Sequence, residues 1–176
     1  MRFNQKGQAF DVFKLLIAAV IAVAMLAILV PILESIGLIN ISNPSGEAVN
    51  LIKSNYDKPS AYNSTTKAVT FAQNDSLNAK AIAEKAAVGV DAGKICLSMG
   101  DFAESGDFAV VGDTTQGNMV LTLKGNAQKV NIGVICDSAA DLRGDLSLYD
   151  IPEDFLGDCT PPDNSQRYCI IMLRYA

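Results

Sequence analysis

Four cysteines, a surplus of carboxylates and a complete absence of histidine bound the chemistry open to this 176-residue chain. Cys96, Cys136, Cys159 and Cys169 are separated by 39, 22 and 9 residues. That spacing contains no CxxC pair, and no histidine is present to complete a mixed zinc site. The even set predicts two disulfides formed in an oxidising compartment. Three pairings exist, and the preferred ones are Cys159–Cys169 as a short C-terminal loop and Cys96–Cys136 as a cross-strand link. Without histidine, Ser-His-Asp triads, Cys-His dyads and nearly all catalytic zinc sites are excluded. No GxxxxGK[ST] or GxGxxG motif follows a strand pattern, so nothing supports a nucleotide site. Carboxylates remain. Residues 137–163 carry Asp137, Asp141, Asp145, Asp150, Glu153, Asp154, Asp158 and Asp163 against Arg143 alone. Asp101, Glu104 and Asp107 form a second acidic patch. Neither matches the spacing of a calcium-binding EF-hand loop, so both are expected to be solvated surface with no metal. Arg143-Gly144-Asp145 spells an adhesive tripeptide, a match too short to carry weight. A carboxylate pair of the glycosidase type would need a cleft, for which a domain of this size without tryptophan gives no sign. The expectation is a non-enzyme without cofactor. The formal net charge is −5 and no Lys/Arg cluster occurs, which argues against nucleic acid as a general partner.

The element that must position everything else lies at the N-terminus. Residues 15–33, LLIAAVIAVAMLAILVPIL, contain no charged, amide or hydroxyl side chain. As a helix this run predicts a length of ~28 Å, enough to cross a bilayer core. Arg2, Lys6 and Lys14 flank it on one side, with Glu34 and Glu47 the first charges beyond. Positive residues stay inside, which places the N-terminus in the cytoplasm and the bulk of the chain outside. Asn40-Ile-Ser, Asn63-Ser-Thr and Asn74-Asp-Ser have the form of glycosylation acceptors and are compatible with that location. The run is longer than the core of a secretory signal and ends in Pro31-Ile32-Leu33-Glu34, without a small-residue cleavage pattern. A plain anchor gains nothing from Asp11 and Lys14 at its mouth. Ala18, Ala19, Ala22, Ala24 and Ala27 allow helices to approach closely, and Pro31 removes one helical hydrogen bond and can bend the helix.

The segment KGQAFDVFKLLIAAVIAVAMLAIL resembles the class III signal peptide of archaeal type IV pilins and archaellins. The resemblance covers about the first 30 residues. It implies cleavage by a prepilin peptidase between Gly7 and Gln8, removing a leader of residues 1–7. The hydrophobic helix, 8–37, would then serve as membrane anchor before assembly and as filament core afterwards. Residues 38–176 would form the extracellular domain. Many such pilins carry Glu five residues into the mature chain, where this sequence has Val12, with Asp11 one place earlier. Asp11 is therefore expected to offset the amino terminus of a neighbouring subunit, with Lys14, in setting register. Pro31 resembles the helix-breaking proline of the same region. The resemblance implies a helical homopolymer on the cell surface, with prepilin peptidase, an assembly platform and its ATPase, and the membrane as partners. The alternative is a membrane-anchored extracellular binding or adhesion module that does not form the filament bulk.

Beyond the run, Asn43-Pro44-Ser45-Gly46 reads as a break. A helix is predicted over 46–56, capped by Ser45, and another over 76–88, capped by Asp75 or Ser76 and closed near Gly89. Residues 67–72 alternate as a short strand. Lys94–Met99, Asp107–Val111, Asn118–Lys124, Lys129–Cys136 and Tyr168–Tyr175 read as further strands. Gly125-Asn126 suggests a hairpin joining the third and fourth of these. The predicted fold is α+β and pilin-like: a long hydrophobic N-terminal helix, then an antiparallel β-rich globular domain with one or two packed helices.

Overall fold

Asn43 begins the folded domain by capping a helix. Its side-chain oxygen accepts from Gly46 N at 2.9 Å, Pro44 occupies the first turn, and Glu47 and Lys53 complement the helix ends. This helix, α2, runs Pro44–Asn55 and buries Ala48, Val49 and Ile52. The cap is thus Asn43 rather than Ser45, whose hydroxyl instead donates to Ser76 O. The computed structural model describes residues 5–35, 43–152, 159 and 166–176, with side chains of the first segment described from 14 to 29. Residues 1–41 and 42–176 form two compact units.

In the first unit, α1 runs Gln5–Ser35 and continues through Pro31. Among the described residues, no helix is long and apolar enough to cross a membrane. The expected long hydrophobic helix over 8–37 is corrected accordingly.

The second unit is a small α+β domain with two sheets. Strands β1 (Tyr62–Ser64), β2 (Val69–Phe71), β4 (Ile95–Ser98), β7 (Gln128–Ser138) and β8 (Arg167–Tyr175) form the larger one. β7 is its centre. Its two halves pair on one side with β2 and β1, and its whole length pairs antiparallel with β8, from Val130↔Tyr175 to Ser138↔Arg167. β4 closes the far edge, parallel to β8, with Cys96 opposite Ile170. The smaller sheet is β3 (Ser76–Asn78), β6 (Val120–Leu123) and β5 (Phe108–Val111), all antiparallel.

The domain is therefore mixed rather than antiparallel, which corrects the predicted fold class. Alternation identifies a strand but not the direction of its neighbour, and β4 and β8 are distant in sequence. The helices also exceed expectation: α2, α3 (Ala79–Ala86) and α4 (Leu142–Leu148) all belong to this unit. Residues 76–78, expected to open a helix, pair with β6 instead, and Asn78 becomes the cap of α3 by accepting from Ala81 N at 3.1 Å. The helix ends at Ala87, in left-handed conformation, two residues before Gly89. The expected hairpin between β6 and β7 does not form. Gly125 N donates to Asp107 O, and the chain passes there from the smaller sheet to the larger.

Burial explains the strand composition. Val134, Ile135 and Cys136 are consecutive and fully buried, as are Ile170, Ile171, Met172 and Leu173. Such continuous runs mark strands covered on both faces. α2 packs on β7 and on α3, and α4 packs on β7. Gly100 makes one close approach possible: its φ is +54°, and a Cβ there would collide with the Leu173 carbonyl oxygen.

The disulfides follow the sheet. Cys136 and Cys169 face each other across β7 and β8, and Cys96 on β4 bonds to Cys159. Both preferred pairings are thereby corrected. β8 carries Cys169 back into the sheet beside β7, leaving Cys159 next to the β4 edge.

Candidate functional site

The acidic stretch does not behave as plain solvated surface. α4 presents Leu142 and Leu146 to the core, both at most 1% exposed, and Asp145 lies between them at helical spacing. The carboxylate is consequently carried inward and is only 5% exposed. The C-terminal end of β7 brings in Asp137, 7% exposed, and the residue before α4 supplies Asp141. The loop after α2 adds Ser60, held at φ +60°, a conformation that costs a non-glycine residue stability and that clusters at functional sites.

These residues line an open groove of about 610 Å³, completed by Pro59, Ala140, Gly144 and Leu148. Within it the polar atoms are unevenly served. Asp137 accepts from Ser60 Oγ at 2.8 Å and from Ser138 N at 2.6 Å. Asp141 accepts from Ser138 Oγ at 2.6 Å. Tyr149 Oη donates to the Ser60 carbonyl at 2.7 Å and locks the loop. Asp145 Oδ2 alone has no hydrogen-bond partner, the single buried side-chain oxygen or nitrogen among the described residues of which this is true.

The two buried carboxyls are pushed apart. Burial raises Asp145 above the usual carboxylate range; the Ser60 hydroxyl opposes this, while Asp137 and Asp141 add to it. Burial also pushes Asp137 upward, but the Ser138 N–H and the hydroxyl of Ser60, with help from Asp145, more than offset it and hold Asp137 low. One carboxyl thus stays ionised while its neighbour resists ionisation. Among the described residues, no group of three or more His, Cys, Asp or Glu is placed to hold a metal ion.

The residues singled out in the sequence are dispersed. Gly7, Gln8, Asp11 and Pro31 lie on the α1 backbone, with side chains outside the described residues. Lys14 is exposed. Every side chain from 14 to 29 is exposed, including Leu15 at 71%, Val23 at 67% and Ile28 at 65%. Asn40 lies outside the described residues. Asn63 points its amide nitrogen at Asn55 Oδ1, within the domain. Asn74 is exposed on a turn at φ +69°. In the second acidic patch, Asp101 accepts from Arg174 Nε at 3.1 Å and Tyr175 N at 2.9 Å, tying the turn after β4 to the end of β8. Asp107 accepts from Gln128 Nε2 at 3.3 Å. Sequence reasoning missed Ser60 and the inward turn of Asp145. The Leu142, Asp145, Leu146 spacing was the signal for the second; Ser60 carries none. No protein-family profile matches the chain, and neither a curated protein nor a solved structure matches it.

Proposed function

We propose that the chain is a structural subunit of a type IV pilus-like surface filament, assembled by packing the α1 helices of successive copies after removal of residues 1–7. The observation that carries this reading is the uncovered apolar surface of α1. Ten large apolar side chains between Leu15 and Leu29 are 43–71% exposed. Burial of such a side chain stabilises by roughly 1.5–3 kcal/mol, so covering even half of this surface is worth on the order of 10 kcal/mol. That equals the whole stability of a typical domain, at about 5–15 kcal/mol. Water is therefore not the final environment of this surface, and a surface so large needs an extended apolar partner. Neighbouring α1 helices meet that need, and the five alanines of the segment allow them to approach closely. The two disulfides suit a domain displayed outside the cell.

The test is a charge placed inside the packed seam. Val23→Lys should abolish filaments recoverable by shearing cells, while Val23→Ile should keep them, as counted by electron microscopy. Filaments at the parent level in Val23→Lys would overturn the proposal. A membrane-anchored surface binding module is the second reading, favoured by the acidic groove on the outer domain.

A further inference from the structure

Two motifs of the form Asn-x-Ser/Thr lie within the described residues, Asn63-Ser64-Thr65 and Asn74-Asp75-Ser76, and the fold treats them in opposite ways. We propose that Asn74 is an N-glycosylation site and that Asn63 is not. Glycan attachment requires the domain to be exported, so this inference rests on the filament reading. Attachment joins the side-chain Nδ2 of asparagine to C1 of a sugar, and the third residue of the motif must supply its hydroxyl.

Both groups are committed in the first motif. Asn63 Nδ2 donates to Asn55 Oδ1, and Asn55 is fully buried. Thr65 Oγ1 accepts from Ile132 N at 3.1 Å and donates to Asn131 Oδ1 at 3.5 Å. Asn63 also belongs to β1, opposite Val134 of the central strand. A sugar on its Nδ2 has to displace the contact with Asn55, so it opposes this fold whether it is added before or after folding.

Both groups are open in the second motif. Asn74 is the third residue of a turn in which Asp75 N donates to Ala72 O at 3.0 Å, and its φ of +69° is a left-handed conformation that asparagine tolerates. Its backbone is held, because Asn74 N donates to Leu123 O at 3.2 Å. Its side chain is exposed, and no hydrogen bond among the described residues engages it. The Asp75 carboxylate is turned back onto Ala72 N at 2.8 Å. Ser76 is exposed, and Ser45 Oγ reaches its carbonyl oxygen rather than its hydroxyl. Ala72 and Gln73 are exposed as well, which leaves the approach to Asn74 uncovered.

The donor this chemistry requires is an oligosaccharide linked through phosphate to a membrane lipid. The Nδ2–C1 bond forms as the bond from C1 to the phosphate oxygen breaks. The lipid phosphate leaves with the electron pair, Nδ2 gives up one proton, and nothing is oxidised or reduced. A glycan is bulky and hydrated, so the turn between β2 and β3 faces water and not a neighbouring copy.

The test is peptide mapping by mass spectrometry on full-length chain from the cells that make it, with surface-shed and retained fractions kept apart. Trypsin separates the two motifs into residues 54–67 and 68–80. The expected result is sugar mass on Asn74 in the second peptide and none in the first. Ser76→Ala should abolish it and Ser76→Thr should retain it; Asn74→Gly, which suits the same turn, should also abolish it. A glycan on Asn63, or sugar on residues 68–80 that survives Ser76→Ala or Asn74→Gly, would overturn the proposal. Bare residues 68–80 on a surface-shed chain with both disulfides formed overturn the glycan alone. Bare residues 68–80 on a chain kept inside with free thiols overturn the filament reading with it.

Discussion

Removing the disulfides one at a time should expose how much of the domain's stability rests on chain connectivity. The Cys136–Cys169 bridge closes a sequence separation of 33 residues and Cys96–Cys159 one of 63. The loop-entropy relation assigns these about 3.7 and about 4.3 kcal/mol respectively, through loss of freedom in the unfolded chain. Both bridges lie within Ser42–Ala176. At about 2.1 cal/mol/K per residue, some ~135 residues give an unfolding entropy near 0.28 kcal/mol/K. The variant Cys136→Ala/Cys169→Ala should therefore melt about 13 °C below the parent, and Cys96→Ala/Cys159→Ala about 15 °C below it. The two shifts should be similar because the relation is logarithmic in loop length. The assay is thermal unfolding by far-UV circular dichroism on the purified oxidised chain, with peptide mapping of the parent. Mapping that recovers Cys96 joined to Cys136 would refute the pairing. Variants melting within about 3 °C of the parent would refute the entropic argument.

Three further perturbations probe named contacts. Asn55 is fully buried, donates to Val134 O at 2.8 Å and Ala61 O at 3.2 Å, and accepts from Asn63; Asn55→Ala should cost about 3 kcal/mol by denaturant unfolding, and a loss under about 1 kcal/mol would contradict this network. Asp145 is raised above 3.8, so its ionisation opposes folding: stability should be lost as pH rises from 3.8 through its folded-state pKa. Asp145→Asn should flatten the melting temperature across that window, whereas Asp137, held low, sends its loss of stability below pH 3.8 as pH falls through its own folded value. An unchanged slope above pH 3.8 in Asp145→Asn would count against the raised carboxyl. Gly100→Ala meets both a φ of +54° and the Leu173 carbonyl, so a loss of at least about 2 kcal/mol is expected in the same unfolding assay, and a neutral result would refute the close approach.

What was legible in the sequence was local. The stretches that became β4 to β8 announced themselves by Val, Ile, Leu and Phe between Gly, Asp and Asn, and α2 was legible as a helix, although Asn43 and Pro44 read as part of the break before it and the cap was expected at Ser45. What was not legible was pairing. Gly125-Asn126 has the chemistry of a hairpin turn, yet its flanking strands join different sheets, β6 between β3 and β5 and β7 between β8 and the β1–β2 edge. The parallel partnership of β4 and β8 leaves no local trace, and the disulfide pairing depended on it. Asp145 was readable in principle from its place between Leu142 and Leu146. A stretch so rich in acid hid one buried carboxylate among exposed ones, and Ser60, contributed from the loop after α2, could only be found in three dimensions.

The use of α1 as a filament core is tested most directly by N-terminal mass spectrometry on material sheared from the cell surface. A chain beginning at Gln8, recovered in quantity from sheared filaments, is the predicted result. A chain beginning at Met1 and recovered only with membranes would contradict it.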